Sequence, residues 1–145
     1  MAGTMIFVNL AVRDLEQSKA FWSKLGYSFD PMFTDENAAC LVLAEGHNYA
    51  MLLTAEFFAG FLVKGKAAAD AATTTETMIA LSADSREEVD RLVDTALASG
   101  GSAAGDTMDM GPMYGRSFQD PDGHHWEVMH MDMAAMEQAG QQAGQ

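Results

Sequence analysis

The sequence predicts an α+β fold of two tandem β-α-β-β-β modules that together form a cleft. Three observations predict it. Apolar residues alternate over 6–12 and then fall on a helical stripe. The same strand-then-helix order returns from residue 77. The segment Gly46-His47-Asn48-Tyr49-Ala50 resembles Gly123-His124-His125-Trp126-Glu127, which makes the chain an internal duplication.

Each element has a local cause. Ile6, Val8, Leu10 and Val12 form one face of the first run, with Met5, Phe7, Asn9 and Ala11 on the other. Period two means a strand. Asp14 is placed to cap a helix, with Gln17 three residues on as its reciprocal partner. Leu15, Phe21, Trp22 and Leu25 form that helix's apolar stripe, and Gly26 ends it in a left-handed conformation. Strands are expected near 27–33, 38–44 and 48–54, separated by Asp35-Glu36-Asn37 and Glu45-Gly46-His47. A short helix closes the module between Thr54 and Leu62. Residues 77–83 then read as a strand. Asp84 or Ser85 caps a second helix with the stripe Val89, Leu92, Val93 and Leu97, and Gly100-Gly101 stops it. Strands follow near 102–109, 113–119 and 124–131, with Asp120-Pro121-Asp122-Gly123 as a strong turn. The expected boundaries are a first module over 1–62, a linker over 63–75, a second module over 76–132 and a flexible tail over 133–145, frayed or marginally helical.

Composition narrows the function. The chain has 145 residues, the size of one domain, and 48% of them are hydrophobic. Lys plus Arg is 8 against 21 for Asp plus Glu, a net charge of −13. Such a surface opposes a phosphate backbone, so no nucleic-acid partner is expected. The charge serves solubility on one reading and attracts cationic ligands on another. No apolar run approaches the ~18–20 residues of a membrane span. The start, Met1-Ala2-Gly3-Thr4-Met5, lacks a basic segment, so no signal peptide is expected. Cys40 is the single cysteine and has no internal disulfide partner, which fits a reducing cytoplasm.

Two segments then carry a family likeness. Asp14-Leu15-Glu16-Gln17-Ser18 to Leu25-Gly26-Tyr27, and Phe118-Gln119-Asp120-Pro121-Asp122-Gly123 to Glu127, resemble the vicinal oxygen chelate superfamily over residues 4–132. That superfamily includes glyoxalase I, bleomycin- and fosfomycin-resistance proteins and extradiol dioxygenases. Phe-Val-Asn-Leu near the start and Met-Tyr-Gly-Arg before the turn look like its lactoylglutathione lyase-like branch. The resemblance implies a divalent ion (Ni, Zn, Mn or Fe) acting as a Lewis acid, held by His, Glu or Gln on the first and last strands of each module. Its ligand positions map onto Asn9, Ala50, Ala80 and Glu127. Two are alanines, and Asn9 is a neutral amide. Glu127 alone is a normal ligand, so the expected metal site is incomplete unless His125 or Glu76 substitutes. The resemblance also implies a homodimer.

A symmetric turn at Asp120–Gly123 would set Gln119 opposite His124, Phe118 opposite His125, Arg116 opposite Glu127 and Tyr114 opposite Met129. Arg116 would then pair with Glu127 on the cleft face. Phe7, Asn9, Ala11, Met78, Ala80, Ser82, Asn48, Ala50, Leu52, His125, Glu127, Met129 and Met131 are expected to line that face. Glu127 reads as a general base or lone ligand, or as half of an ion pair. Arg116 binds an anionic substrate or only Glu127. His125 is a ligand, an acid/base or a structural residue, and Tyr114 a ligand donor or a packed ring. The function expected is a glyoxalase-like protein that binds or transforms a small organic molecule. Glu127 would move a proton next to a carbonyl while Arg116, Tyr114 or Asn9 orients oxygen atoms. Phe7, Asn9, His125, Met129 and Met131 would contact the ligand. The alternative is a non-catalytic, ligand-sequestering protein of the bleomycin-resistance type. A third reading is a member kept for protein–protein contact.

Overall fold

A computed structural model describes residues 3–143, with the backbone alone for 139 and 141–143. The chain divides into two units, residues 1–74 and 75–145. The first is the β-α-β-β-β module that the duplication predicts; in the second the strand expected near 102–109 is split into two short strands, which gives a five-stranded sheet.

In the first unit, β1 (Ile6–Val12) leads into α1 (Leu15–Lys24), β2 (Ser28–Asp30), β3 (Ala38–Ala44) and β4 (Asn48–Thr54). The sheet order is β1-β4-β3-β2, with β1 parallel to β4 and the other pairs antiparallel. Asp14 caps α1 as expected, its carboxylate accepting from the Gln17 N–H at 3.1 Å. Gly26 has φ of 98°, where only glycine is unstrained, and the chain turns there so that Tyr27 N–H reaches Trp22 O at 3.1 Å. Asp30 caps a single 3₁₀ turn, Pro31–Phe33, which cuts β2 short of the expected residue 33. The helix-side core combines Leu15, Phe21, Trp22 and Leu25 with Leu10, Val12, Ala39, Leu41, Ala50 and Leu52, all buried. After β4, Thr54 Oγ1 accepts from Phe57 N–H at 3.2 Å and starts α2 (Ala55–Ala59).

In the second unit, β5 (Met78–Ser82) is followed by α3 (Arg86–Ala98), β6 (Ser102–Ala103), β7 (Met108–Asp109), β8 (Met113–Gln119) and β9 (His125–Met131). The order is β5-β9-β8-β6, and β7 also pairs with β8. β5 runs parallel to β9. Ser85 is the cap of α3, accepting from Glu88 N–H at 3.1 Å. Val89, Leu92, Val93 and Ala96 pack on Phe118, Trp126 and Val128 in a buried core. Leu97, expected on that stripe, is 39% exposed, and Ala96 takes its place. Gly101 is needed for close approach, since a Cβ there would meet Ala96 O and Gln119 O at 2.8 Å. The segment expected as a tail is helical over Met133–Ala143 (α4), and residues 144–145 lie outside the described residues.

The β8–β9 connection differs from the symmetric turn. Asp120, 4% exposed, gathers the loop around its carboxylate. Oδ1 accepts from Asp122 and His124 N–H, and Oδ2 from the Trp126 indole, each at 3.0 Å. Asp120 N–H also donates to His124 O at 3.0 Å, so the loop runs over 120–124. Gln119 therefore lies opposite His125, Phe118 opposite Trp126, Ser117 opposite Glu127 and Arg116 opposite Val128. The register moves by one residue, which changes the face of every residue on β8 relative to β9.

Candidate functional site

The corrected register sorts the candidates. In the second unit Phe118, Trp126 and Val128 face the helix. The open face carries Met78, Ala80 and Ser82 of β5, His125, Glu127, Met129 and Met131 of β9, and Gly115, Ser117 and Gln119 of β8. His125 and Glu127 fall there as expected, and Met129 and Met131 beside them. His125 Nε2 meets Glu127 Oε1 at 2.8 Å, with the two side chains 16% and 34% exposed. The contact fixes the carboxylate and the ring in one mutual orientation. Directly beside it in register are Ala80 and Ser117, and Ser117 Oγ donates to Gly105 O at 3.3 Å.

Arg116 and Tyr114 are not at this place. They lie on the helix face and bind α3, which corrects the expected Arg116–Glu127 pair and the expected Tyr114–Met129 pairing. Arg116 Nη1 contacts Asp90 and Asp94 at 2.9 Å, and Tyr114 Oη donates to Asp90 at 2.7 Å. Arg86 stacks over the Tyr114 ring at 4.2 Å and holds Asp109 at 2.5 Å. The Tyr114 hydroxyl and then Arg116 hold the Asp90 carboxyl below the usual carboxylate range. The same bond to Asp90 raises the Tyr114 hydroxyl. Burial pulls the Arg116 guanidinium down, but Asp90 and Asp94 outweigh it and leave it raised. This network fastens α3 to β8. Sequence reasoning missed its acidic members, although Asp90 and Asp94 stand one helical turn apart and mark a single helix face.

In the first unit the open face carries Phe7, Asn9 and Ala11 of β1 with Tyr49, Met51 and Leu53 of β4. Phe7 stacks on Tyr49 at 4.8 Å, and Asn9 Nδ2 donates to Phe7 O at 3.1 Å. Ala50 and Leu52, expected on this face, are buried on the helix side opposite Val8 and Leu10. Asn48 shares their parity, opposite Ile6. The error came from aligning two turns of unequal length. Ala44 faces Asn48, whereas Gln119 faces His125.

The family's metal positions can now be checked against this geometry. Asn9 pairs with Met51 rather than Ala50, and Ala80 pairs with Glu127. The set is thus an amide, a thioether, a methyl group and one carboxylate. Divalent Ni, Zn, Mn and Fe need several firm His or carboxylate donors, and only Glu127 is one. Among the described residues no group of three or more His, Cys, Asp or Glu side chains could hold an ion. These residues do not fit the metal that the resemblance implies.

The comparisons with known proteins agree with the fold. Residues 4–128 match the model of the Glyoxalase/Bleomycin resistance protein/Dioxygenase superfamily, and the chain belongs to that superfamily. It is similar to the structure of a hypothetical protein from S. aureus, 30% identical with a TM-score of 0.70, covering 90% of this chain and 95% of that one. It shares its fold with a fosfomycin resistance protein from Listeria monocytogenes, 19% identical with a TM-score of 0.62, covering 90% and 92%. It also shares it with a lactoylglutathione lyase from Agrobacterium tumefaciens, 15% identical with a TM-score of 0.64, covering 91% and 96%. No curated protein matches the chain. No helix among the described residues is long and apolar enough to cross a membrane.

Proposed function

We propose that this superfamily member acts on a small carbonyl compound by proton transfer, with Glu127 as the base. The His125–Glu127 pair carries the reading. It is a carboxylate fixed by an imidazole at 2.8 Å on a sheet face that also holds Met129 and Met131. An apolar surface with one oriented base is the surface a small organic substrate needs. Glu127 takes the proton from the carbon next to the carbonyl. His125 orients the carboxylate. Ser82 and Gln119, on the same face, are neutral donors for the substrate oxygen. Arg116 and Tyr114 have no place in this chemistry, because α3 engages both. The reading keeps the chain near the lactoylglutathione lyase-like branch, as a homodimer in the cytoplasm, without that branch's metal.

The test is solvent deuterium incorporation next to the carbonyl of the hemithioacetal of methylglyoxal and glutathione, followed by proton NMR. The wild type is expected to exchange, and Glu127→Gln to slow exchange at least about 100-fold. No exchange in the wild type, or full exchange in Glu127→Gln, contradicts the reading. A second reading, sequestration without catalysis, is favoured by the incomplete donor set at Asn9, Met51 and Ala80. Saturable binding of a ligand with no turnover would select it.

A further inference from the structure

The second unit carries a group of thioethers whose chemistry has no part in the proton transfer. The chain has 12 methionines, and two short runs concentrate them: Met108-Asp109-Met110-Gly111-Pro112-Met113 and Met129-His130-Met131. The fold sets these runs side by side. The loop Gly111-Pro112 is closed by Met110 N–H donating to Met113 O at 2.8 Å, and Gly111 has φ of 76°, where glycine is unstrained. Asp109 Oδ1 accepts from Gly111 N–H at 3.2 Å, and Arg86 holds both Asp109 and Gly111 O, so the loop is pinned to α3. Met113 lies opposite Met131. Asp132 N–H donates to Pro112 O at 2.7 Å, which flanks that pair and makes it the non-hydrogen-bonded kind, with Cα atoms only about 4.5 Å apart.

Strand parity puts these side chains on one face. Met108 lies opposite Gly115, and Gly115 opposite Met129. A Cβ on Gly115 would meet Met129 Cγ at 3.3 Å and Met108 Cε at 3.6 Å, so the two methionines close over the bare glycine. Met110, Met113 and Met131 form the next row. Met110 is 67% and Met131 43% exposed, so no packed core accounts for that row. A thioether is soft, neutral and polarizable, and its flexible stem lets sulfurs on neighbouring strands turn toward one point. Soft sulfur selects Cu(I), whereas divalent Ni, Zn, Mn and Fe take harder donors. Met131 stands four residues beyond Glu127 on β9, about 13 Å along the strand. β7 and β8 carry none of the superfamily's ligand positions, which map to β1, β4, β5 and β9. The net charge of −13 favours the approach of a cation.

We propose that Met110, Met113 and Met131 form a binding site for one soft monovalent metal ion, Cu(I), with Met108 and Met129 packed beside it as an apolar wall. Thioethers have no proton to displace, so binding needs neither a thiolate nor a neutral imidazole. Cys40, the chain's single thiol, is fully buried in the other unit and does not compete for the ion. The site uses neither His125 nor Glu127, so it stands or falls separately from the proton-transfer reading.

The test uses the full chain labelled with carbon-13 at the methionine methyls. It is titrated with Ag(I), which is redox-stable and equally soft, and with Cu(I) kept reduced by ascorbate. Methyl NMR locates the ion and calorimetry reads its affinity. One equivalent of either ion is expected to shift the methyls of Met110, Met113 and Met131 and to leave those of Met5 and Met32, which are also exposed, in place. Zn(II) should move none of the three. Met113→Leu and Met131→Leu should each weaken binding about tenfold or more, and Met32→Leu should not weaken it. Leu for Met conserves volume, and thermal unfolding of each variant verifies that the fold is kept. Glu127→Gln should bind Ag(I) as the wild type does, even where it abolishes deuterium exchange. No shift of the three methyls, shifts spread alike over all exposed methionines, Met113→Leu and Met131→Leu that bind as the wild type does, or loss of binding in Glu127→Gln would each overturn the proposal.

Discussion

Replacing Asp120 with Ala removes the centre of the loop that sets the β8–β9 register. Its carboxylate accepts two backbone N–H groups and the Trp126 indole N–H, each at 3.0 Å, at a site only 4% exposed. Without it three donors lose their acceptor, at about 1–3 kcal/mol each when buried. Burial pushes the Asp120 carboxyl above the usual range, against the pull of His124 and the Trp126 indole, so the ionised group itself carries a desolvation cost. Removing the group recovers part of that cost. The expected net loss is about 3–4 kcal/mol, or roughly 10–15 °C in Tm. Asp120→Asn keeps one oxygen for the backbone donors but turns an NH₂ toward the indole N–H. It should fall between Ala and wild type, at about 2 kcal/mol. Urea denaturation of the three proteins, with Trp126 fluorescence as a local probe, measures this. A loss below about 1 kcal/mol in Asp120→Ala would refute the reasoning, because the loop would then hold its shape without the carboxylate.

Two further outcomes follow from the α3 side of the sheet. Tyr114→Phe removes the hydroxyl that holds the Asp90 carboxyl low, and should cost about 1 kcal/mol or less at neutral pH, since Asp90 is 46% exposed. A depressed folded pKa means stability present above the unfolded value and lost as pH falls through the folded one. The penalty should therefore shrink as pH drops from about 5 toward about 2, and a penalty that grows with acid would contradict the assignment. Gly101→Ala places a methyl 2.8 Å from both Ala96 O and Gln119 O and should destabilise by about 1–3 kcal/mol, read by thermal unfolding.

Much of the fold was legible because each module repeats strong local signals. Asp14 and Ser85 cap their helices, and the stripes that follow are buried nearly as the periodicity requires. The open-face placement of Phe7, Asn9, His125 and Glu127 follows from strand parity alone. What failed was parity across a turn. Asp120-Pro121-Asp122-Gly123 reads as a symmetric turn, but the Asp120 side chain binds the N–H groups of both Asp122 and His124 and draws one more residue into the loop. One residue moved Arg116 and Tyr114 from the site to the helix side. An Asp at the head of a turn is the available signal, since its carboxylate caps backbone groups ahead of it. In the first unit a different cause, the alignment of two turns of unequal length, gave Ala50 the place of Met51. Parity did not decide where Phe58 and Phe61 sit, because they reach Asn9 only through the turn from β4 into α2.

The central claim is that this superfamily member keeps one charged ligand position, Glu127, and no metal site around it. Elemental analysis of the purified protein after dialysis against Ni, Zn, Mn and Fe(II) tests it most directly. The account predicts no stoichiometric metal, and the same result for Glu127→Ala. One equivalent of metal retained by the wild type and lost in Glu127→Ala would contradict it.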